Sequence, residues 1–300
     1  MTDMSPVEHD SGPAGDDFRS GFVTLFGRPN VGKSTILNAM LREKVTITSD
    51  KAQTTRNQVR GVLSTDAFQL VFVDTPGVGK PRSELGKRLN ATANEANNDV
   101  DVVCFVIDAR TGYGRGDAFL AERLDPARTV VVLNKVDGMK PAAIAEQLTK
   151  VADLGALAYF PVSGRTGDGI DRLVEFLASQ LPLGPRWYPS AQRRDMPEAR
   201  WVAELVREQL LRMTRQEVPH SVATRVTDWE ETEKGPHIRV EILVERTSQK
   251  GIVIGKAGEV LKAVGTNVRT QLPPGSFLEL VVSVDKDWHH DPAAIERLGY

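Results

Sequence analysis

From Phe22 to Gln180, short apolar runs alternate with stretches whose apolar positions recur every three or four residues. The runs at 22–26, 59–64, 68–73, 102–107, 129–133 and 157–162 predict strands. The spacing at 33–42, 83–97, 116–124, 142–153 and 169–180 predicts helices. Val130-Val131-Val132-Leu133 has no polar alternation, as expected of a strand buried on both faces of a mainly parallel sheet. Strand–helix alternation of this kind predicts a doubly wound α/β domain.

The pattern breaks at Pro182, Pro185, Pro189 and Pro197, with Arg186, Arg193 and Arg194 between them, so 183–197 reads as a linker. A helix is predicted from Pro197, with Val202, Leu205, Val206, Leu210 and Met213 on one stripe and the opposite side solvated. Strands at 221–228 and 237–245, helices at 248–254 and 259–271, and a strand at 277–285 complete an α-β-β-α-α-β order. Residues 1–18 carry five acids among Gly, Pro and Ser and read as a disordered acidic tail; 289–300 read as a C-terminal tail.

Composition changes this picture little. The chain is 40% apolar and its net charge is −2, so any nucleic-acid site must be a local patch. The single cysteine, Cys104, lies in an apolar run and fits a buried thiol in a reducing compartment. No run is long and apolar enough to predict a membrane-crossing helix, and the N-terminus lacks the layout of a signal peptide. His289-His290 reads as a solvated pair.

Gly27-Arg28-Pro29-Asn30-Val31-Gly32-Lys33-Ser34 follows one predicted strand and opens a helix at Thr35, the context in which G-x-x-x-x-G-K-S cradles phosphates. Its backbone N–H groups can turn onto phosphate oxygens, with Lys33 reaching the β/γ-phosphates and Ser34 ligating Mg²⁺. Asp74-Thr75-Pro76-Gly77 ends another strand: Asp74 can hold the metal and the Gly77 N–H can meet the γ-phosphate. Asn134-Lys135-Val136-Asp137 ends a third, where Asp137 can accept from guanine N1–H and the 2-amino group, Lys135 can lie over the base and Asn134 can brace the loop. Ser163-Gly164 follows the last strand, where a backbone N–H can meet guanine O6. These pieces fall at strand C-terminal ends, where open α/β sheets bind ligands.

The segment 44–58 lacks a buried-strand pattern and contains Gln53-Thr54-Thr55-Arg56. Thr55, ahead of Thr54, is the candidate to close on Mg²⁺ and the γ-phosphate, making this a switch. Val78 follows Gly77 where Ras-type enzymes carry a water-orienting Gln, and an apolar side chain cannot orient water. Lys33, Thr55 and Gly77 are the candidate catalytic groups that these motifs supply.

Gly255-Lys256-Ala257-Gly258 lies between two helical segments, the arrangement in which a KH loop approaches an RNA backbone. Arg246, Lys250, Lys256, Lys262 and Arg269 surround it against Glu259 alone, a concentrated patch suited to phosphate contact.

The strings G-R-P-N-V-G-K-S-T, K-A-Q-T-T-R, D-T-P-G, N-K-V-D and V-E-R-x-S-Q-K-G-x-x-I-G-K-x-G resemble the Era family of bacterial GTPases over roughly residues 19–288. The resemblance implies a Ras-like α/β P-loop GTPase domain with a mainly parallel sheet (19–182), followed by an α+β type II KH domain (198–288). It implies GTP hydrolysis and binding near the 3′ end of small-subunit ribosomal RNA. It further implies assembly and maturation of the 30S-type subunit, and peripheral contact with the cytoplasmic face of the membrane. A cytoplasmic monomer using Mg²⁺ is expected, with K⁺ held by Asn30 as an activator in related G-x-P-N-x-G-K-S enzymes. The alternatives are a membrane-surface GTPase in cell-cycle or envelope control, and an RNA scaffold with a non-catalytic nucleotide domain. The chain departs from the family at Val78-Gly79-Lys80-Pro81, usually Ile-His-Lys-Pro, at Gly164, usually Ala, and at Ala257, often Gly.

Overall fold

The computed structural model describes residues 17–51, 54–56, 59–78, 83–97, 99–214 and 221–300. The acidic tail to residue 16, Gln53 of the switch candidate and Gly79-Lys80-Pro81 lie outside them. In chain order the elements are β1 (Arg19–Phe26), α1 (Lys33–Leu41), β2 (Val59–Ser64), β3 (Phe68–Asp74), α2 (Glu84–Glu95), β4 (Val102–Asp108) and α3 (Arg115–Ala121). Then come β5 (Thr129–Asn134), α4 (Pro141–Val151), β6 (Ala158–Pro161), α5 (Ile170–Gln180), β7 (Arg194–Asp195) and α6 (Glu198–Met213). Finally there are β8 (Ala223–Thr232), β9 (Gly235–Val244), α7 (Thr247–Ile254), α8 (Glu259–Arg269), β10 (Phe277–Val284) and α9 (Pro292–Arg297).

Two compact units form. The first takes residues up to Thr46, Val59–Thr75 and Glu95–Asp195. Its seven-stranded sheet has the order β6-β5-β4-β1-β3-β2-β7. β1 pairs in parallel with β3 and β4, and β4-β5-β6 continue in parallel; β2 and β7 run antiparallel. The nearly continuous apolar spelling of β4 and β5 is accounted for: every residue of both strands is buried, Asp108, Thr129 and Asn134 included. Val23, Leu25, Leu70, Phe72, Cys104, Val106, Val130 and Val132 pack with Ile36, Leu37, Leu173 and Leu177 into one core. Each Val, Leu, Ile or Phe among them contributes about 1.5–3 kcal/mol on burial. Burial also pushes the Cys104 thiol up to about 12, which keeps it inert.

The Pro-rich segment after Pro182 is held to this sheet rather than left as a free strap. Gln69, fully buried, accepts from the Trp187 and Tyr188 N–H groups (2.7 and 3.0 Å) and donates to the Tyr188 carbonyl (2.8 Å). β7 then pairs with Arg60 and Gly61. Phe18 is likewise buried, beneath the Arg186 guanidinium.

The second unit takes Ile47–Gln58, Pro76–Asn94 and Met196–Tyr300. The antiparallel β8/β9 hairpin and the parallel β9/β10 pair form its three-stranded sheet. Val206, Leu210, Val240, Ile242, Val253, Val264 and Val268 fill its core, and the α-β-β-α-α-β order stands as expected. Residues 289–300, read as a tail, are ordered instead. Trp288 is fully buried, and Ala294, Ile295 and Leu298 pack with Leu85 and Leu89 of α2 and with Ala223 and Leu243. Asp291 caps α9 by accepting from the Ala293 N–H at 3.0 Å.

The expectation of a solvated face on α6 is corrected. Glu204, Arg207, Glu208 and Gln209 are all buried. Three of them find partners there: the Thr48 N–H donates to Glu208 Oε1 at 2.9 Å, Arg207 donates to the Thr54 carbonyl, and Gln209 Oε1 accepts from Asn267 Nδ2 at 3.2 Å. His289 is also only partly exposed, its Nδ1 beside the Glu245 carboxylate.

Candidate functional site

The phosphate loop is the connection between β1 and α1. Gly32 sits at φ 97°, and a Cβ there would lie 2.2 Å from Asn134 Nδ2, so only glycine fits. Asn30 also takes the left-handed region (φ 64°), which turns its carbonyl to the Lys135 ammonium at 2.7 Å. The Val31 carbonyl accepts from Asn134 Nδ2 at 2.8 Å. Arg28 anchors the loop through Nε to the buried Asp117 carboxylate at 2.8 Å. Thr35 continues α1, and Pro29 completes the turn.

Lys33 is buried, and its ammonium donates to the Gly27 and Arg28 carbonyls at 3.1 and 3.0 Å. Burial lowers its pKa to about 8, an effect that the Asp74 carboxylate opposes. A cation held inside a ring of backbone groups at a helix start is suited to phosphate oxygens.

Ser34 Oγ donates to Asp74 Oδ2 at 2.9 Å, and Thr46 Oγ1 donates to the same oxygen at 3.1 Å. This donor set is all hard oxygen with one carboxylate, and fits Mg²⁺ held jointly with phosphates and water. No cluster of three His, Cys, Asp or Glu suited to a metal occurs among the described residues, so no all-protein cage competes. Thr75 Oγ1 donates to the Leu25 carbonyl at 2.9 Å and fixes the turn after β3. Thr55, Pro76 and Gly77 belong to the second unit, where Thr55 is buried.

The loop Asn134–Asp137 follows β5, beside the ends of β4 and β6. Asn134 Oδ1 accepts from the Gly164 N–H at 3.0 Å, so Asn134 ties that loop to Val31 as the expected brace. Any donation from that N–H to guanine O6 would be shared with this bond. Lys135, at φ 68°, pairs with Asp108 Oδ2 at 2.7 Å. Asp137 Oδ1 accepts from Ser163 Oγ at 2.8 Å. That bond, with the Arg165 and Arg110 guanidinium groups beside it, holds the Asp137 carboxyl below the usual range.

Sequence reasoning missed Thr46, Asp108, Asp117, Arg110 and Arg165. Thr46 and Asp117 had no motif to mark them. Asp108 had one available signal: like Asp74 and Asn134, it is the last residue of a buried strand.

In the second unit, Gly255 (φ 76°) ends α7 and Gly258 (φ 79°) starts α8. Lys256, Ala257, Arg246, Lys262 and Arg269 are exposed, and Lys250 is half-buried. Ala257 takes the left-handed region, φ 51°. Gln249 is buried; it accepts from the Glu245 and Arg246 N–H groups (2.9 and 3.1 Å) and donates to Ser221, which shapes the strand-to-helix turn ahead of the loop. Lys256 stands in the turn itself, Lys250 in the helix that leads to it and Lys262 in the first turn of α8, whereas Arg269 ends α8, about 16 Å along the helix axis from the turn.

Known proteins resemble this chain over nearly its whole length. Residues 22–135 match the family described as 50S ribosome-binding GTPase, and residues 217–289 match the KH domain family. The GTPase Era proteins of Mycobacterium tuberculosis and Mycobacterium bovis are 44% identical over 298 residues, spanning 95% of this chain and 99% of theirs. Two solved structures superpose with a TM-score of 0.91, each spanning 94% of this chain and 99% of its own. One is an Aquifex aeolicus Era variant bound to GDP·AlF4⁻ (33% identical). The other is Era in complex with MgGDPNP and nucleotides 1506–1542 of 16S ribosomal RNA (34% identical).

Proposed function

The chain belongs to the Era family of GTPases, and on that premise we propose that it is a GTP-hydrolysing switch that binds the 3′ end of small-subunit ribosomal RNA and assists assembly of that subunit. The observation that carries this is the pairing of two built sites in one chain. Lys33, the Ser34–Asp74 pair and Asp137 stand at strand ends of the first unit, and the exposed Lys256–Ala257 turn stands between α7 and α8 of the second. The relative solved with MgGDPNP and a 16S fragment supports both ligands.

In this reading Lys33 and the N–H groups of the loop meet the β- and γ-phosphates, and Asp137 takes the guanine edge. Ser34 and Asp74 hold Mg²⁺, which neutralises phosphate charge when bound. Thr55 and the Gly77 N–H close on the γ-phosphate as switch elements. Val78 supplies no water-orienting group, so a K⁺ ion beside the exposed Asn30 is the proposed activator. Equal turnover in K⁺ and Na⁺ would remove that part.

The test is binding of a labelled fragment of the 16S 3′ end in GTP-analogue, GDP and nucleotide-free states at fixed salt. Affinity that differs between states gives the coupling free energy. Changing Lys256 and Ala257 to Asp should weaken binding and lower the salt slope while GDP binding survives. RNA affinity unchanged by that double substitution would sink the reading.

A further inference from the structure

Both oxygens of the Asp137 carboxylate are already engaged by side chains. The Asp137 side chain is 7% exposed, and Oδ2 accepts two guanidinium N–H groups, from Arg110 at 2.7 Å and from Arg165. Oδ1 already accepts from Ser163, whose hydroxyl is oriented by the Thr166 N–H at 3.2 Å. A carboxylate oxygen offers two lone-pair sites, so both of those on Oδ2 are taken.

The two arginines differ in how they are held. Arg110 also donates to the Lys135 and Asp137 carbonyls, at 3.3 and 3.1 Å, and so braces the whole N-K-x-D loop. Arg165 has Asp137 as its one hydrogen-bond partner among the described residues, and its side chain is 74% exposed. It can swing into water without breaking anything else.

Guanine reads such a carboxylate through N1–H and the 2-amino group, two roughly parallel N–H donors on one N–C–N fragment. A guanidinium edge presents the same donor pattern. Guanine and Arg165 therefore want the same lone pairs.

We propose that Arg165 is an intramolecular competitor of the guanine base: it holds Asp137 Oδ2 in the nucleotide-free protein, must leave for the base to seat, and so sets the affinity and association rate for guanine nucleotides. This rests on the reading of Asp137 as the guanine-binding carboxylate. An ion pair whose cation is 74% exposed loses much of its strength to solvent screening, so Arg165 closes the site only part of the time. If one half to one fifth of molecules are open, apparent affinity falls by about two- to fivefold relative to an unguarded site.

The experiment uses the full chain with Mg²⁺ at fixed salt and follows fluorescently labelled GDP by equilibrium titration and stopped flow. Arg165→Ala should bind two- to fivefold tighter, with the gain in the association rate, and Arg165→Lys should fall between it and the wild type. Arg110→Ala should move the opposite way, with faster dissociation, because it loosens the loop. Asp137→Asn should lose at least tenfold. Arg165→Ala that binds GDP equally or more weakly, while Asp137→Asn loses affinity, overturns the competitor. Asp137→Asn that keeps its GDP affinity overturns the base-site reading, and this inference with it.

Discussion

Ser34 Oγ donates to Asp74 Oδ2 across 2.9 Å, joining the start of α1 to the last residue of β3. The two meet because β1 and β3 are parallel neighbours in a register that sets Leu25 beside Asp74. The strand that ends in the phosphate loop and the strand that ends in the carboxylate therefore finish at one level. Asp74→Ala should lower Mg²⁺-dependent GTP turnover by about 100-fold or more, as removal of a group stabilising transition-state charge does. Phosphate release under saturating GTP checks this.

Burying the Lys33 ammonium costs stability. The amine is buried with a pKa of about 8 against 10.5 for the free side chain. Between those values the unfolded chain binds more protons than the folded one, so stability should rise with pH there. Below about 8 the full cost of burying the charge is present. Lys33→Met should therefore stabilise the nucleotide-free protein at pH 7 by about 1–3 kcal/mol, and the gain should shrink from pH 8 to 10.5. Denaturant melts across that range read it. Nucleotide affinity of the wild type should weaken as pH rises through about 8, because phosphate prefers the charged amine.

Arg207 is fully buried and donates to both Glu204 oxygens, at 2.9 and 2.5 Å, and to the Thr54 carbonyl. Arg207→Ala leaves a buried carboxylate unpaired and should destabilise the second unit by about 3–5 kcal/mol. The double change Arg207→Met with Glu204→Leu removes both charges and should cost much less. Urea unfolding of the two variants separates the pair from its burial.

The G-x-x-G turn stores strain at Ala257, a non-glycine residue in the left-handed region. Ala257→Gly should stabilise by about 0.5–1 kcal/mol, since the relief of Cβ crowding exceeds the added freedom of the unfolded chain. Gly255→Ala should do the reverse. Its Cβ would lie 2.5 Å from a Val260 methyl and 2.9 Å from the Val260 nitrogen, at φ 76°. A loss of about 2 kcal/mol or more is expected. Thermal melts measure both, and the salt slope of RNA binding shows whether the turn keeps its phosphate contacts.

Local pattern decided most of the elements. The uninterrupted Val, Ile and Leu runs of β4 and β5 can be buried only in the middle of a parallel sheet, and that is where they lie. The phosphate loop, Asp74, the N-K-x-D loop and Ser163-Gly164 were legible because each carries its chemistry within a few consecutive residues at a strand end. What the sequence could not show depends on partners far along the chain. Gln69 fastens a Pro-rich stretch more than a hundred residues away, which composition alone marks as a linker. The polar face of α6 is polar in any helical projection; it is the backbone of Thr48 and Thr54, about 150 residues away, that pairs with Glu208 and Arg207 on a face where Glu204, Arg207 and Glu208 are buried. Trp288 and α9 close on α2 and β9, so an apparent tail becomes core. Arg110 and Arg165 converge on Asp137 only because β4, β5 and β6 run side by side and end together. A sequence encodes propensity and spacing directly, but burial and charge pairing are properties of neighbours, and the chain's neighbours are chosen by the fold.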